Sequence, residues 1–132
     1  MYQTISKIVC VLALCSTTPL YANDATDCKE VKFQATDQAW TGHYYLQGVM
    51  EVGSELLLQD HGKFKWYLAV GSLDQYAEGT WWKNGNCIGL KALPKYSKHL
   101  EIFPSHLDVE ESHLTVTWIG GRQDGAYVRA TQ

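Results

Sequence analysis

Residues 63–86 read KFKWYLAVGSLDQYAEGTWWKNGN, and this stretch decides the fold. Between Lys63 and Val70 the residue character alternates: Phe64, Trp66, Leu68 and Val70 fall on one side of an extended chain, while Lys63, Lys65 and Tyr67 take the other. Between Tyr76 and Lys83 the same reading sets Ala77, Gly79 and Trp81 against Tyr76, Glu78, Thr80 and Trp82. A helix would scatter these residues around its circumference, because its period is 3.6 and not 2. Gly71-Ser72-Leu73-Asp74 separates the two runs, and Lys83-Asn84-Gly85-Asn86 ends the second. Asn84-Gly85 is the strongest turn signal, with both residues expected at the centre of a primed hairpin turn that needs positive φ at each. Links this short join antiparallel neighbours, since a parallel pair needs a crossover of about a dozen residues.

The pattern continues in both directions. Gly42–Met50 and Ser54–Gln59 come before, and Asn86–Leu93, Leu100–Pro104, Ser112–Ile119 and Ala126–Thr131 come after. Ile88, Leu90 and Ala92 share a face, as do Leu114, Val116 and Trp118, and so do Ala126, Val128 and Ala130. Ser105–Glu110 reads as a polar link. From residue 41 onward no stretch shows sustained helical periodicity. The expected class is therefore all-β: a small antiparallel meander barrel of about eight strands, whose closure removes the exposed edges of an open sheet. A two-layer sandwich is the rival, but it usually needs Greek-key crossings that consecutive short links do not supply.

Ahead of the strands, Met1–Lys7 ends in a positive charge, Ile8–Leu14 is an unbroken apolar run, and Leu20-Tyr21-Ala22 offers a small-residue cleavage site. These features predict an export signal over residues 1–22, with an apolar run too short to span a bilayer. The competing expectation is a lipoprotein signal ending at a lipidated Cys15. Leu14 is bulky where such a signal carries a small residue, so a cleaved periplasmic or secreted product is preferred. Of four cysteines, Cys28 and Cys87 remain after cleavage, and an oxidising compartment would join them as one disulfide. That bond would pin a polar N-terminal segment, residues 23–40, to strand five of a barrel domain spanning residues 41–132. The residues of Cys28–Gln34 are compatible with a helical turn or with another strand. Beyond residue 22 the chain carries 10 basic and 14 acidic residues, which is not the electrostatic footprint of a nucleic-acid binder.

Gly53-Ser54-Glu55-Leu56, Gly62-Lys63-Phe64, Gly71-Ser72-Leu73-Asp74 and Ala77-Glu78-Gly79-Thr80-Trp81, together with the opening Gly42-His43-Tyr44, resemble short exported bacterial envelope proteins of the lipocalin-like (calycin) group. The resemblance covers about residues 41 to 93. It implies a barrel, with Arg122 or Arg129 in the place of the late arginine that packs over the opening strand, and it implies no particular activity.

Motif chemistry is sparse. The chain has no Gly-x-Ser-x-Gly elbow, no phosphate-cradling glycine loop and no His-Glu-x-x-His. His99, His106 and His113 recur at intervals of seven, but on strands such an interval swaps faces at each step, so no metal site is expected of them. Asp74 and Glu78 could form an acid–base pair if they met at one rim, with Arg122 steadying an anion; the plainer reading makes Asp74 a turn cap and Glu78 a solvated group. Lys83, Lys91, Lys95 and Lys98, followed by Asp108, Glu110 and Glu111, read as a mixed solvated surface.

Aromatic residues carry more. Trp66, Trp81 and Trp118 share the inward parity, where with Phe64, Leu68, Leu90 and Leu114 they either plug a small barrel or line a cavity within it. Tyr67, Tyr76 and Trp82 take the outward parity, as binding residues or as packing under the N-terminal segment. These six are the candidate ligand- or partner-binding residues. The expectation is a non-catalytic periplasmic barrel, monomeric and without a cofactor or membrane span, that binds a small apolar ligand or an envelope protein. Inhibition of a cell-wall hydrolase such as lysozyme is the first alternative, by analogy with other small exported barrels. A hydrolase-type enzyme using Asp74 and Glu78 is the second.

Overall fold

Alternation of large apolar and polar residues leaves each strand one face to bury, and eight such faces meet around one axis. The computed structural model describes residues 28–131; the expected export signal over residues 1–22 and lipidation at Cys15 lie outside the described residues. The strands are β1 (Gly42–Gln47), β2 (Val52–Gln59), β3 (Lys63–Val70), β4 (Leu73–Asn84), β5 (Cys87–Ala92), β6 (Pro104–Glu110), β7 (His113–Trp118) and β8 (Gln123–Arg129). Each pairs antiparallel with the next, and β8 pairs with β1 through Tyr44↔Arg129 and Leu46↔Tyr127, so the sheet is a closed eight-stranded meander. The barrel expected from alternation and short links is what the chain forms.

The interior is filled from all sides. Trp66, Trp81, Phe64, Leu56, Leu58 and Leu68 are at most 2% exposed. Two aromatic groups that the strand pattern did not assign to the core join them. Phe103, just before β6, reaches in to meet Trp66 edge-on with ring centres 5.0 Å apart. Tyr127 of β8 is fully buried, whereas Val128 is exposed, so the inward face of β8 is the opposite of the Ala126, Val128, Ala130 face expected from sequence. The phenol decides this: its hydroxyl donates to Ser54 Oγ at 2.7 Å and accepts from Trp66 Nε1 at 2.9 Å, while Ser54 Oγ gives its own proton to the Tyr67 carbonyl at 2.6 Å. A buried polar group with every partner in place costs little, and the ring fills volume that alanine and valine would leave empty.

Three further expectations are corrected. Strand six is Pro104–Glu110, not Leu100–Pro104; His106, Asp108 and Glu110 therefore sit on a strand rather than in a link. Ser105 is an extra residue between the pairs Pro104↔Trp118 and His106↔Thr117. A bulge of this kind switches the parity of all that follows, which hides the strand from a period-two reading. The β4–β5 hairpin closes on Asn84↔Cys87, so Gly85 and Asn86 are its central pair, and Gly85 alone has positive φ, at 59°. A turn with glycine first needs only that one left-handed position. Finally, Pro94–Ser97 forms one turn of helix, α1, where none was expected.

Cys28 and Cys87 are bonded, as expected. Cys28–Gln34 is neither strand nor helix; it runs along the outside of β4 and β5, where Trp82 Nε1 donates to the Cys28 carbonyl and Asn84 Nδ2 to the Lys29 carbonyl. A 3-10 helix over Ala35–Trp40 then turns across one end of the barrel.

Candidate functional site

The two ends of the barrel are built differently. At the end holding the β2–β3 and β4–β5 turns, the 3-10 helix is fastened by Arg129. Its guanidinium lies 5.3 Å from the Tyr44 ring centre and donates to the Tyr44 hydroxyl at 2.7 Å and the Ala39 carbonyl at 2.8 Å. Tyr44 in turn donates to the Trp40 carbonyl at 2.7 Å. Burial holds the Tyr44 phenol pKa above its ordinary value, although the adjacent guanidinium pulls the other way. Phe33 packs edge-on against Trp81, 5.2 Å between ring centres. That end is sealed.

The opposite end is an apolar cup of about 390 Å³ that opens to solvent. Leu68 and Trp118 form its floor, and Val52, Val70 and Ile102 its walls. Two turns form the apolar part of its rim: Val49 and Met50 between β1 and β2, and Ile119 after β7. Met50 is 89% exposed and Ile119 60%, large apolar side chains held in water beside an apolar floor. Glu101, Arg122 and Asp124 supply the rim's charge, with Arg122 donating to Asp124 Oδ2 at 2.7 Å. Gln75, on the inward face of β4, fixes the third rim segment: its Nε2 donates to the His99 carbonyl and its Oε1 accepts from the Ile102 amide. The cup is of the size and polarity that take small molecules, at the lower end of the usual volume range.

Of the three inward tryptophans, only Trp118 reaches the cup, steadied by its Nε1 donating to the Asp124 carbonyl at 2.9 Å. Trp66 and Trp81 are sealed behind it, each with its ring nitrogen satisfied, by Tyr127 and by the Gln59 carbonyl. The outward three also divide. Trp82 is 8% exposed, lying over Gly89, where a Cβ would come within 2.3 Å of its ring. Tyr67 and Tyr76 stay in solvent, in a cross-strand row Tyr45–Glu55–Tyr67–Tyr76 over β1 to β4.

Asp74 and Glu78 share the outer face of β4, but four residues apart in a strand means backbone positions about 13 Å apart. Each carboxylate has its own tyrosine: Tyr67 donates to Asp74 Oδ1 at 3.0 Å and Tyr96 to Glu78 Oε2 at 2.7 Å. These hydrogen bonds are the main reason both phenols titrate above their ordinary value. Arg122 is with Asp124 at the cup rim rather than with this pair. His99 lies on the rim segment, His106 is buried mid-strand with Nε2 3.5 Å from Asp108, and His113 starts β7 beside Glu110. The rim residues Val49, Met50, Glu101, Ile119 and Asp124, and Ile102 of the wall, were not singled out by sequence reading. The available signal was the presence of large apolar residues, Met50 and Ile119, directly beside turn residues.

Comparison of the chain with protein-family models, curated proteins and solved structures gives no match.

Proposed function

We propose that the protein is a non-catalytic binding barrel that takes a small apolar ligand at its open end. One observation carries this reading: the apolar cup floored by Trp118 and Leu68, with Met50 and Ile119 held exposed on its rim. Exposed apolar side chains of this size raise the free energy of the unliganded protein in water, and covering them with ligand recovers about 25 cal/mol per Å². The floor and most of the wall of the cup belong to strands and the rim to loops, which suits ligand entry. Work as a carrier outside the cytoplasm is part of the proposal, supported by the Cys28–Cys87 bond, since such bonds persist in oxidising compartments. Membership in the lipocalin-like group stays within the proposal too. Its support is Arg129 lying over Tyr44 beside Gly42, where that resemblance asks for a late arginine.

The separate hydroxyl partners of Asp74 and Glu78 support the non-catalytic side of the reading. The test is a fluorescence titration with N-phenyl-1-naphthylamine, excited through tryptophan. Saturable one-to-one enhancement, lost in Ile119→Glu and competed by 1-decanol, is the expected result. No saturable enhancement, or an equal enhancement in Ile119→Glu, would overturn the cup as the binding site.

A further inference from the structure

Of the eleven glycines in the chain, ten have a visible reason. Eight of them have positive φ. Gly79 and Gly89 have ordinary φ but no room: a Cβ would strike the Lys91 carbonyl at 1.9 Å or the Trp82 ring at 2.3 Å. Gly53 has neither constraint. It sits inside β2 without a left-handed φ, and nothing lies within 4 Å of where its Cβ would be. Glycine inside a strand weakens it, through backbone entropy and the missing side chain. The fold gains nothing visible from it. What the glycine does is keep the outer surface low beside a row that carries two rings.

Those rings are Tyr45 and Tyr67, which with Gln47, Gly53 and Glu55 bound a notch of about 320 Å³ on the outer face. Glu55 pairs across the sheet with Tyr45 on one side and Tyr67 on the other. A second carboxylate, Asp74, accepts from the Tyr67 hydroxyl, and Gly53, Ala69 and Asp74 form the adjacent cross-strand row. The basic groups nearby are His43, whose Nε2 lies 3.4 Å from Glu55 and whose ring stacks on Tyr45, and Lys65, which borders the next notch beyond Tyr67. Aromatic rings on this side of the barrel already hold one cation: Lys95 Nζ sits 5.0 Å from the Tyr96 ring centre.

We infer that the notch over Gly53, beside the row Tyr45–Glu55–Tyr67, is the docking site for an arginine side chain of a partner protein. The chemistry is selective. Electron-rich ring faces attract a cation, and a planar guanidinium stacks against them while its edge donates to a carboxylate, which a compact ammonium does less well. Glu55 is the carboxylate at the correct place, and Gly53 leaves the depth that a stacked side chain and its backbone need. The site lies on the outer wall, apart from the cup, so it neither requires nor competes with ligand binding there.

The experiment uses ¹⁵N-labelled protein and two probes of equal shape, N-acetyl-arginine amide and its uncharged counterpart N-acetyl-citrulline amide. The arginine probe is expected to shift the amide signals of Gly53, Glu55 and Tyr67 saturably, and the citrulline probe is not. Glu55→Gln should weaken the arginine probe about fivefold, the loss expected for one exposed charge pair. Gly53→Val should fill the notch, abolish the shifts and melt no lower than the native chain. Equal shifts with citrulline, no saturable shift with arginine, unchanged affinity in Glu55→Gln, or a lower melting temperature for Gly53→Val would each overturn the assignment. The last would show that the glycine serves the fold after all.

Discussion

One end of this barrel spends its polar groups on closure and the other leaves its apolar groups uncovered. At the closed end a guanidinium, a phenol and two backbone carbonyls satisfy one another, and Phe33 covers Trp81. At the open end the core stops at Trp118 and Leu68, and the loops above them carry Met50 and Ile119 into solvent. Both ends border the same core, so the difference is not one of core quality. It lies in what the loops were given to do. The closed end therefore contributes to stability, and the open end is free to serve binding, which is the division expected when function is grafted onto a scaffold.

That division can be broken first at the disulfide. Cys28 and Cys87 are 59 residues apart, and closing a loop of that length restricts the unfolded chain by about 4 kcal/mol in the chain-entropy model. Replacing both cysteines by serine should lower unfolding free energy by roughly that amount in urea titration. A loss below about 1 kcal/mol would mean that the N-terminal segment is held by Arg129 and Phe33 instead.

The core between the ends gives the next largest effect. Burial pushes the Tyr127 phenol up to about 12, against an ordinary value of 10.0. Between those values the unfolded chain gives up the proton while the folded chain keeps it. The stabilisation is therefore complete below pH 10 and lost as pH rises toward 12, by about 3 kcal/mol. Urea unfolding from pH 9 to 12 should show this alkaline decline. In Tyr127→Phe the component due to this group should vanish, and the Trp66 ring nitrogen, left without its acceptor, should cost about 1–3 kcal/mol at neutral pH. An identical alkaline slope in that variant would place the responsible group elsewhere.

Arg129→Ala removes two charge-assisted hydrogen bonds at the closed end and should cost about 1–2 kcal/mol, with naphthylamine binding at the cup unchanged. If cup affinity fell as well, the two ends would be coupled and the comparison would fail. Smallest in stability is the open end itself. The double variant Met50→Ser, Ile119→Ser should move unfolding free energy by no more than about 0.5 kcal/mol, because both side chains are exposed, while probe affinity drops about tenfold. A large stability loss there would make the rim part of the core.

Sequence reading reached the closed end more readily than the open one. Strand β3 was legible residue by residue, because it carries one unbroken alternation between turns, and β4 was legible over Tyr76–Lys83, although it already begins at Leu73, which was read as part of the link. Strand β6 was not, since the extra Ser105 reverses its parity just after its first residue. Strand β8 was read with the wrong face inward, because alanine and valine outrank tyrosine on hydrophobicity while the real core offered Tyr127 a hydroxyl and an indole as partners. Trp118 was named among the candidate residues from parity alone, but nothing in its parity distinguished it from Trp66 and Trp81, which share its face and are sealed.

By itself, then, the sequence determined the class of fold, the antiparallel order of strands and the pairing of Cys28 with Cys87, since all three follow from local period, link length and cysteine count. Tertiary structure alone decided which end is open, which tryptophan meets solvent at the cup and which outward aromatic is covered. Those outcomes depend on where loops from distant parts of the chain land once the sheet closes, and period-two alternation carries information about faces but none about ends.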